Sequence, residues 1–273
     1  MRLLLVRHGE SVDNVAGLYA GSRDSSLTNH GVLQAKRLGA HIASRRDSIG
    51  PVRYIYTSNL QRAYQTADAV ADACRLSDGD LASPATLGVT RVEELREKDF
   101  GSSEGKKFGV REKDDGSESA ESMRLRVDRF LSQYLGPVIG ELYSENATVV
   151  VVSHGIILNV LLKALLSLYP SAPASLPLIS GRPDSEHLAP WSNTGVLQAH
   201  LGLSENHATL QSQAANLIHI AVEHANNLDH LQGLKKTRGG IGNAKFDSQQ
   251  RTIDSFFGSA PRKRKFPDED VKD

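Results

Sequence analysis

The chain has 273 residues, with 32 Lys plus Arg against 32 Asp plus Glu and 39% hydrophobic residues, the balance of a folded globular protein rather than a disordered one. Its one cysteine, Cys74, excludes an internal disulfide and a multi-cysteine zinc fold, so a reducing compartment is expected. No apolar run reaches the roughly 18 residues of a membrane span, and the opening run, Leu3 to Val6, is too short for the core of a signal peptide.

In chain order, short β-rich runs alternate with amphipathic stretches. Leu3 to Val6 reads as a strand, Gly31 to Ala43 as a helix, Arg53 to Thr57 as a second strand and Leu60 to Ala73 as a second helix. Ser122 to Leu135 predicts a third helix, Thr148 to Val152 a third strand and Ile156 to Leu168 a fourth helix. Val196 to His200 and Leu217 to Val222 read as the last two strands. Strands separated by helices predict a three-layer α/β/α sandwich around a mostly parallel sheet. Five of the ten prolines fall between Pro170 and Pro190, which predicts a long ordered loop over the surface. The folded domain is expected to span residues 1–233. Residues 234–265 carry nine Lys or Arg against two Asp, with Gly, Ser and little apolar periodicity. Residues 234–273 are therefore expected to form a flexible, disordered basic tail.

Two of the strands run into the same short signature, Arg7-His8-Gly9 and Ser153-His154-Gly155. In open α/β sheets ligands bind beyond the carboxyl ends of the strands, so two such strands side by side aim both imidazoles into one mouth. A helix starts just after each, and its free amide groups favour an anion. Arg62 falls in the first turn of the helix that follows the second strand, where it and Arg7 are placed to hold one phosphate through planar guanidinium forks. A single histidine or arginine at a strand end is more often structural, but the repeated signature points to a site.

These residues resemble the histidine phosphatase superfamily, which includes the cofactor-dependent phosphoglycerate mutases. Arg7-His8-Gly9-Glu10-Ser11 with Asn14 is similar to the family's opening motif, and Gly21 to Thr28 with Gly31, Gln34 and Ala35 to its second stretch. Ser58 to Ala67 (SNLQRAYQTA) and Val152 to Gly155 resemble the third and fourth, and Trp191-Ser192-Asn193-Thr194-Gly195 its asparagine turn before a strand. The resemblance implies a phosphoglycerate mutase-like fold with His8 as nucleophile, forming a phosphohistidine that water hydrolyses. Arg7, Arg62 and His154 would bind the phosphoryl oxygens, a cationic set that replaces a metal ion, so neither metal nor other cofactor is expected. These cations would also hold His8 neutral. Asn14, Gly21, Ser58 and Gly155 fall at positions implied for substrate binding. The general acid falls in Glu94 to Gly101 (ELREKDFG), where alignment on the glycine selects Glu97 and leaves Glu94 as its rival.

The sequence departs from the pattern at Gly101-Ser102-Ser103-Glu104-Gly105, where many relatives carry an aromatic ring. The charged stretch Lys106 to Glu121 is too short to match the long insertion of the glycolytic mutases, which favours a phosphatase over a phosphomutase. A small phosphorylated metabolite or a phosphoprotein is the expected substrate.

The tail adds a second signal. Gln250, Ile253, Phe256 and Phe257 form Q-x-x-I-x-x-F-F over residues 250–257, which resembles the PIP box that binds the sliding clamp PCNA. A basic cluster, Pro261-Arg262-Lys263-Arg264-Lys265, follows and predicts nuclear as well as cytoplasmic location without sequence-specific nucleic-acid binding. The competing reading is an adaptor that binds the clamp through this tail and carries a weakly active phosphatase fold. His219, His224 and His230, five and six residues apart, do not share one helix face and read as strand-end and surface residues rather than metal ligands. Gly239-Gly240-Ile241-Gly242 has no strand before it and reads as linker rather than a dinucleotide fingerprint.

Overall fold

The computed structural model describes residues 1–78, 87–110, 114–169, 189–203, 218–236 and 240–247. The expected loop between Pro170 and Pro190 lies almost wholly outside these residues, as does the motif at 250–257 with the basic cluster after it.

Six strands form one sheet: β1 (Arg2–Arg7), β2 (Val52–Ser58), β3 (Val89–Val92), β4 (Thr148–Ser153), β5 (Val196–Leu203) and β6 (Ile218–Asn227), in the order β3-β2-β4-β1-β5-β6. β3, β2, β4 and β1 pair in parallel, whereas β5 is antiparallel to both β1 and β6. The expected mostly parallel sheet is thus present, with one reversed strand. β4 is buried at every position, as a central parallel strand covered on both faces must be, which explains its unbroken valine run.

Side chains alternate between the faces. Leu3, Leu5, Val149 and Val151 enter one core with Val127, Phe130, Ile139, Leu158 and Leu162. Leu4, Val6, Val150 and Val152 enter the other with Leu38, Ile42, Ala67 and Val70. This period of two is what makes three layers. The first face carries α5 (Ala120–Phe130), α6 (Gly136–Leu142) and α7 (Gly155–Leu168), and the second carries α2 (Asn29–Ser44) and α4 (Gln61–Asp78). Two short helices, α1 (Val12–Ala16) and α3 (Arg46–Ile49), complete the described set.

Three details differ from the sequence reading. The helix expected over Ser122 to Leu135 is α5, then one wide π turn over Leu131–Leu135, then α6, with Pro137 where the first turn of a helix tolerates it. β3 has no counterpart in the sequence reading, because four residues with two of them exposed give too little alternation to detect.

The third is the domain boundary. Contacts continue past residue 233: Asn29 N–H donates to Ala244 O at 3.0 Å, His30 N–H to Gly242 O at 3.2 Å and Phe246 N–H to Leu27 O at 3.1 Å. Lys236 Nζ pairs with Glu10 Oε2 at 2.7 Å. Residues 240–247 therefore lie along the start of α2 instead of leaving the domain at 234. Its low apolar content hid this because backbone groups make most of the attachment.

Candidate active site

β1 and β4 are neighbours in parallel register, Arg7 opposite Ser153, so the next residue on each is His8 or His154. Their rings meet edge to face with centroids 5.0 Å apart. β2 flanks β4, and the helix after it, α4, places Arg62 in its first turn, 1% exposed. The two strand-end signatures and the arginine thus converge, as the repeated motif implied. Gly9 allows this loop to press onto α2, since a Cβ there would lie 2.7 Å from the carbonyl oxygen of Gly31.

The protonation of His8 follows from its partners. Its Nδ1 lies 2.7 Å from Gly9 O, and a carbonyl only accepts, so Nδ1 carries the hydrogen and Nε2 holds the lone pair. Arg62 Nε donates to that Nε2 at 3.3 Å. Burial, then the charges of Arg62 and Arg7, push His8 well below the usual histidine range. Neither ring nitrogen of His154 has a hydrogen-bond partner among the described residues. His154 is pushed down by burial, then by Arg62, His8 and Arg7.

Arg62 is held from behind. Nη1 donates to Arg23 O and Nη2 to Gly21 O, both at 2.7 Å. Burial lowers Arg62 to about 10 against the pull of Glu97, Asp13 and Asp24, so it stays charged near neutral pH. The loop carrying those carbonyls is pinned by Glu104, whose Oε1 accepts from Ser22 N–H at 2.6 Å and whose Oε2 accepts from Ser22 Oγ at 3.1 Å. Ser103, in the stretch expected to depart from the pattern, is buried and donates to Asp115 at 2.7 Å. Arg7 donates from Nη1 to Trp191 O at 2.7 Å.

A pocket of about 450 Å³ opens beside this cluster, and Arg7, Glu97, Gly155 and Trp191 are among the residues that line it. Glu97 also sits at the start of α7, where Oε1 accepts from Ile157 N–H at 3.1 Å and Oε2 from Ile156 N–H at 3.2 Å. Its rival, Glu94, faces Arg129 instead at 3.8 Å. Of the positions implied for substrate, Gly155 lines the pocket and Gly21 acts through Arg62. Asn14 and Ser58 make hydrogen bonds within the fold. Asn14 Oδ1 accepts from Ser11 N–H in a capping box and from Asn193 Nδ2. Ser58 is fully buried, its Oγ accepting from Leu60 N–H at 3.2 Å.

The turn before β5 was legible as a motif, but its support was not. Thr194, at φ 57, is in the left-handed region that β-branched residues rarely adopt. Its N–H points at the carbonyls of both Arg7 and His8, at 3.0 and 3.2 Å, while its hydroxyl donates to Asn193 O. That hydroxyl can only accept from His230 Nε2, 2.9 Å away. His230 is 7% exposed, which corrects its reading as a surface residue; the short turn after β6 folds it back against Thr194. Burial and then His41 push it down to about 4.

His8, His154 and His230 share one consequence. The unfolded chain takes up protons on them near pH 6.5 while the folded chain does not. Their contribution is thus fully present above pH 6.5 and is lost as pH falls towards their depressed folded values. Between pH 7 and 5.5 each is expected to remove about 1 kcal/mol of stability. Urea unfolding at both values measures this, and equal stability at the two would contradict it. Among the described residues no group of three His, Cys, Asp or Glu is placed to hold a metal ion, and no helix is long and apolar enough to cross a membrane.

The histidine phosphatase superfamily (branch 1) matches residues 3–183, and the chain belongs to that family. It is 33% identical over 265 residues to a probable phosphatase of Schizosaccharomyces pombe, covering 93% of this chain and 78% of that one. It is 31% identical over 195 residues to a 2,3-bisphosphoglycerate-dependent phosphoglycerate mutase of Azorhizobium caulinodans, covering 66% and 89%. The structure of a mycobacterial glucosyl-3-phosphoglycerate phosphatase superposes with a TM-score of 0.56 at 21% identity, covering 81% of this chain and 97% of that one, a likeness of fold.

Proposed function

We propose that the protein hydrolyses phosphomonoesters through a phosphohistidine on His8, without a metal ion. What carries this reading is the state of His8: neutral, its hydrogen fixed on Nδ1 by Gly9 O, its Nε2 lone pair turned to Arg62 beside His154. Nε2 attacks phosphorus as the bond to the leaving oxygen breaks opposite it. Arg7, Arg62 and His154 hold the charge on the equatorial oxygens. Glu97, which lines the same pocket as Arg7, gives its proton to the leaving oxygen. It then takes one from the water that breaks the N–P bond and releases phosphate. In a phosphomutase a second hydroxyl would replace that water; the short Lys106–Glu121 stretch favours water.

The test is phosphate release from a panel of phosphomonoesters with chelator present, with trapping of an acid-labile phosphoenzyme. Chelator-resistant release with label on His8 is the expected result. Transfer of phosphate to an acceptor without release would establish the mutase instead, and folded protein inactive on every ester would favour the adaptor.

The tail reading extends this. Q-x-x-I-x-x-F-F followed by a basic cluster supports binding of PCNA and entry to the nucleus, so the phosphatase would work tethered to the clamp. A peptide of residues 246–265 is expected to bind PCNA with micromolar affinity, about −8 kcal/mol. Calorimetry showing the same heat after Phe256→Ala with Phe257→Ala would remove this claim. A reporter carrying residues 234–273 that stays in the cytoplasm would remove nuclear entry.

A further inference from the structure

We propose that this site selects phosphomonoesters whose alcohol is uncharged and largely apolar, best of all a flat ring, over esters carrying a second anionic group. The inference rests on the phosphatase reading, in which Arg7 and Glu97 serve the phosphate and the proton. What remains of the pocket wall decides what the alcohol meets. Among the described residues, Ile156, Ala189, Pro190 and Trp191 present carbon to it, and Asn159 is the other polar side chain lining it. That amide is already engaged: Nδ2 donates to Gly155 O at 3.2 Å, and Oδ1 accepts from Ala189 N–H at 3.1 Å.

Two features make the wall a selector. Ile156 and Trp191 pack on the core beneath β4 and α7, so their faces are fixed before substrate arrives. The backbone carbonyl of Trp191 accepts from Arg7, which ties the residue that carries the indole to the arginine that would hold the phosphate. About 450 Å³ is room for a ring as well as the phosphate. A second carboxylate or phosphate would lie near Glu97 and, among the described lining residues, would find no cation beyond Arg7. Burying that charge without a partner is unfavourable, whereas covering a ring with Ile156 and Trp191 is favourable.

The experiment compares benzyl phosphate, glycerol 1-phosphate and 3-phosphoglycerate, whose leaving alcohols are all weakly acidic, so that leaving-group chemistry does not dominate the order. Benzyl phosphate is expected to lead in kcat/KM by about tenfold or more. In Trp191→Ala the ratio of benzyl to glycerol ester should fall about tenfold, and Ile156→Lys should raise 3-phosphoglycerate relative to both. Because a ratio within one variant is read, partial loss of folded protein does not mimic the effect. Trp191 is the one tryptophan of the chain, so its fluorescence gives a reading independent of turnover: benzyl phosphate should change the emission more than glycerol phosphate does. Hydrolysis with 3-phosphoglycerate equal to or ahead of benzyl phosphate would overturn the inference and leave the phosphatase standing, as would an unchanged ratio in Trp191→Ala. Hydrolysis of none of the three would overturn this inference, and inactivity of the folded protein on the whole panel of esters, with no phosphoenzyme, would overturn the phosphatase reading with it.

Discussion

Replacing His8 with alanine is expected to lower phosphatase turnover by at least about 10⁴-fold and to abolish the phosphoenzyme, while the protein remains folded. Few contacts depend on the side chain: among the described residues its hydrogen bonds are to its own neighbour, Gly9, and to Arg62, which keeps both of its other acceptors, and its ring meets that of His154 edge to face. Removing it takes away the attacking lone pair but leaves the cations that bind the substrate. KM should therefore change little compared with kcat. Because burial and two arginines hold His8 neutral well below pH 6.5, loss of its lone pair to protonation should not limit the wild type in the range where free histidine titrates. Circular dichroism and a thermal melt establish folding, and rapid-quench labelling reads the phosphoenzyme. A folded His8→Ala protein that still turns over at the wild-type rate would remove His8 as nucleophile.

What the sequence made legible was the part of the site built by local pattern. Unbroken apolar runs marked β1 and β4, and the residues that end them, Arg7-His8-Gly9 and Ser153-His154-Gly155, had to emerge together once those strands paired. Arg62 was legible because it stands at a helix start directly after a strand. The supporting contacts were not, because each joins segments far apart in the chain. His230 reaches Thr194 across 36 residues and Glu104 reaches Ser22 across 82, and neither position has a periodicity to betray it. The reversed direction of β5 was equally hidden, since an apolar run carries no arrow. Ile241 to Phe246 escaped for a different reason: its contacts with Leu27, Asn29 and His30 are mostly backbone hydrogen bonds, to which side-chain pattern is blind.

The second large effect is expected at Arg62. On the proposed phosphatase reading, Arg62→Ala should reduce kcat/KM by about a thousandfold, since a buried cation beside His8 would no longer meet the developing phosphoryl charge. It should also cost stability, because Gly21 O and Arg23 O lose their donors inside the fold, about 1–3 kcal/mol for each acceptor that water does not reach. Arg62→Lys separates charge from shape. One ammonium supplies the charge but cannot span Gly21 O, Arg23 O and His8 Nε2 as a planar fork does. If the fork matters, lysine recovers less than about tenfold of the loss, and the loop pinned by Glu104 becomes easier to digest with protease. If charge alone matters, lysine recovers most of the activity and the loop is unchanged. The first outcome would make Arg62 the joint between phosphate binding and loop order, and the second would reduce the carbonyl contacts to packing.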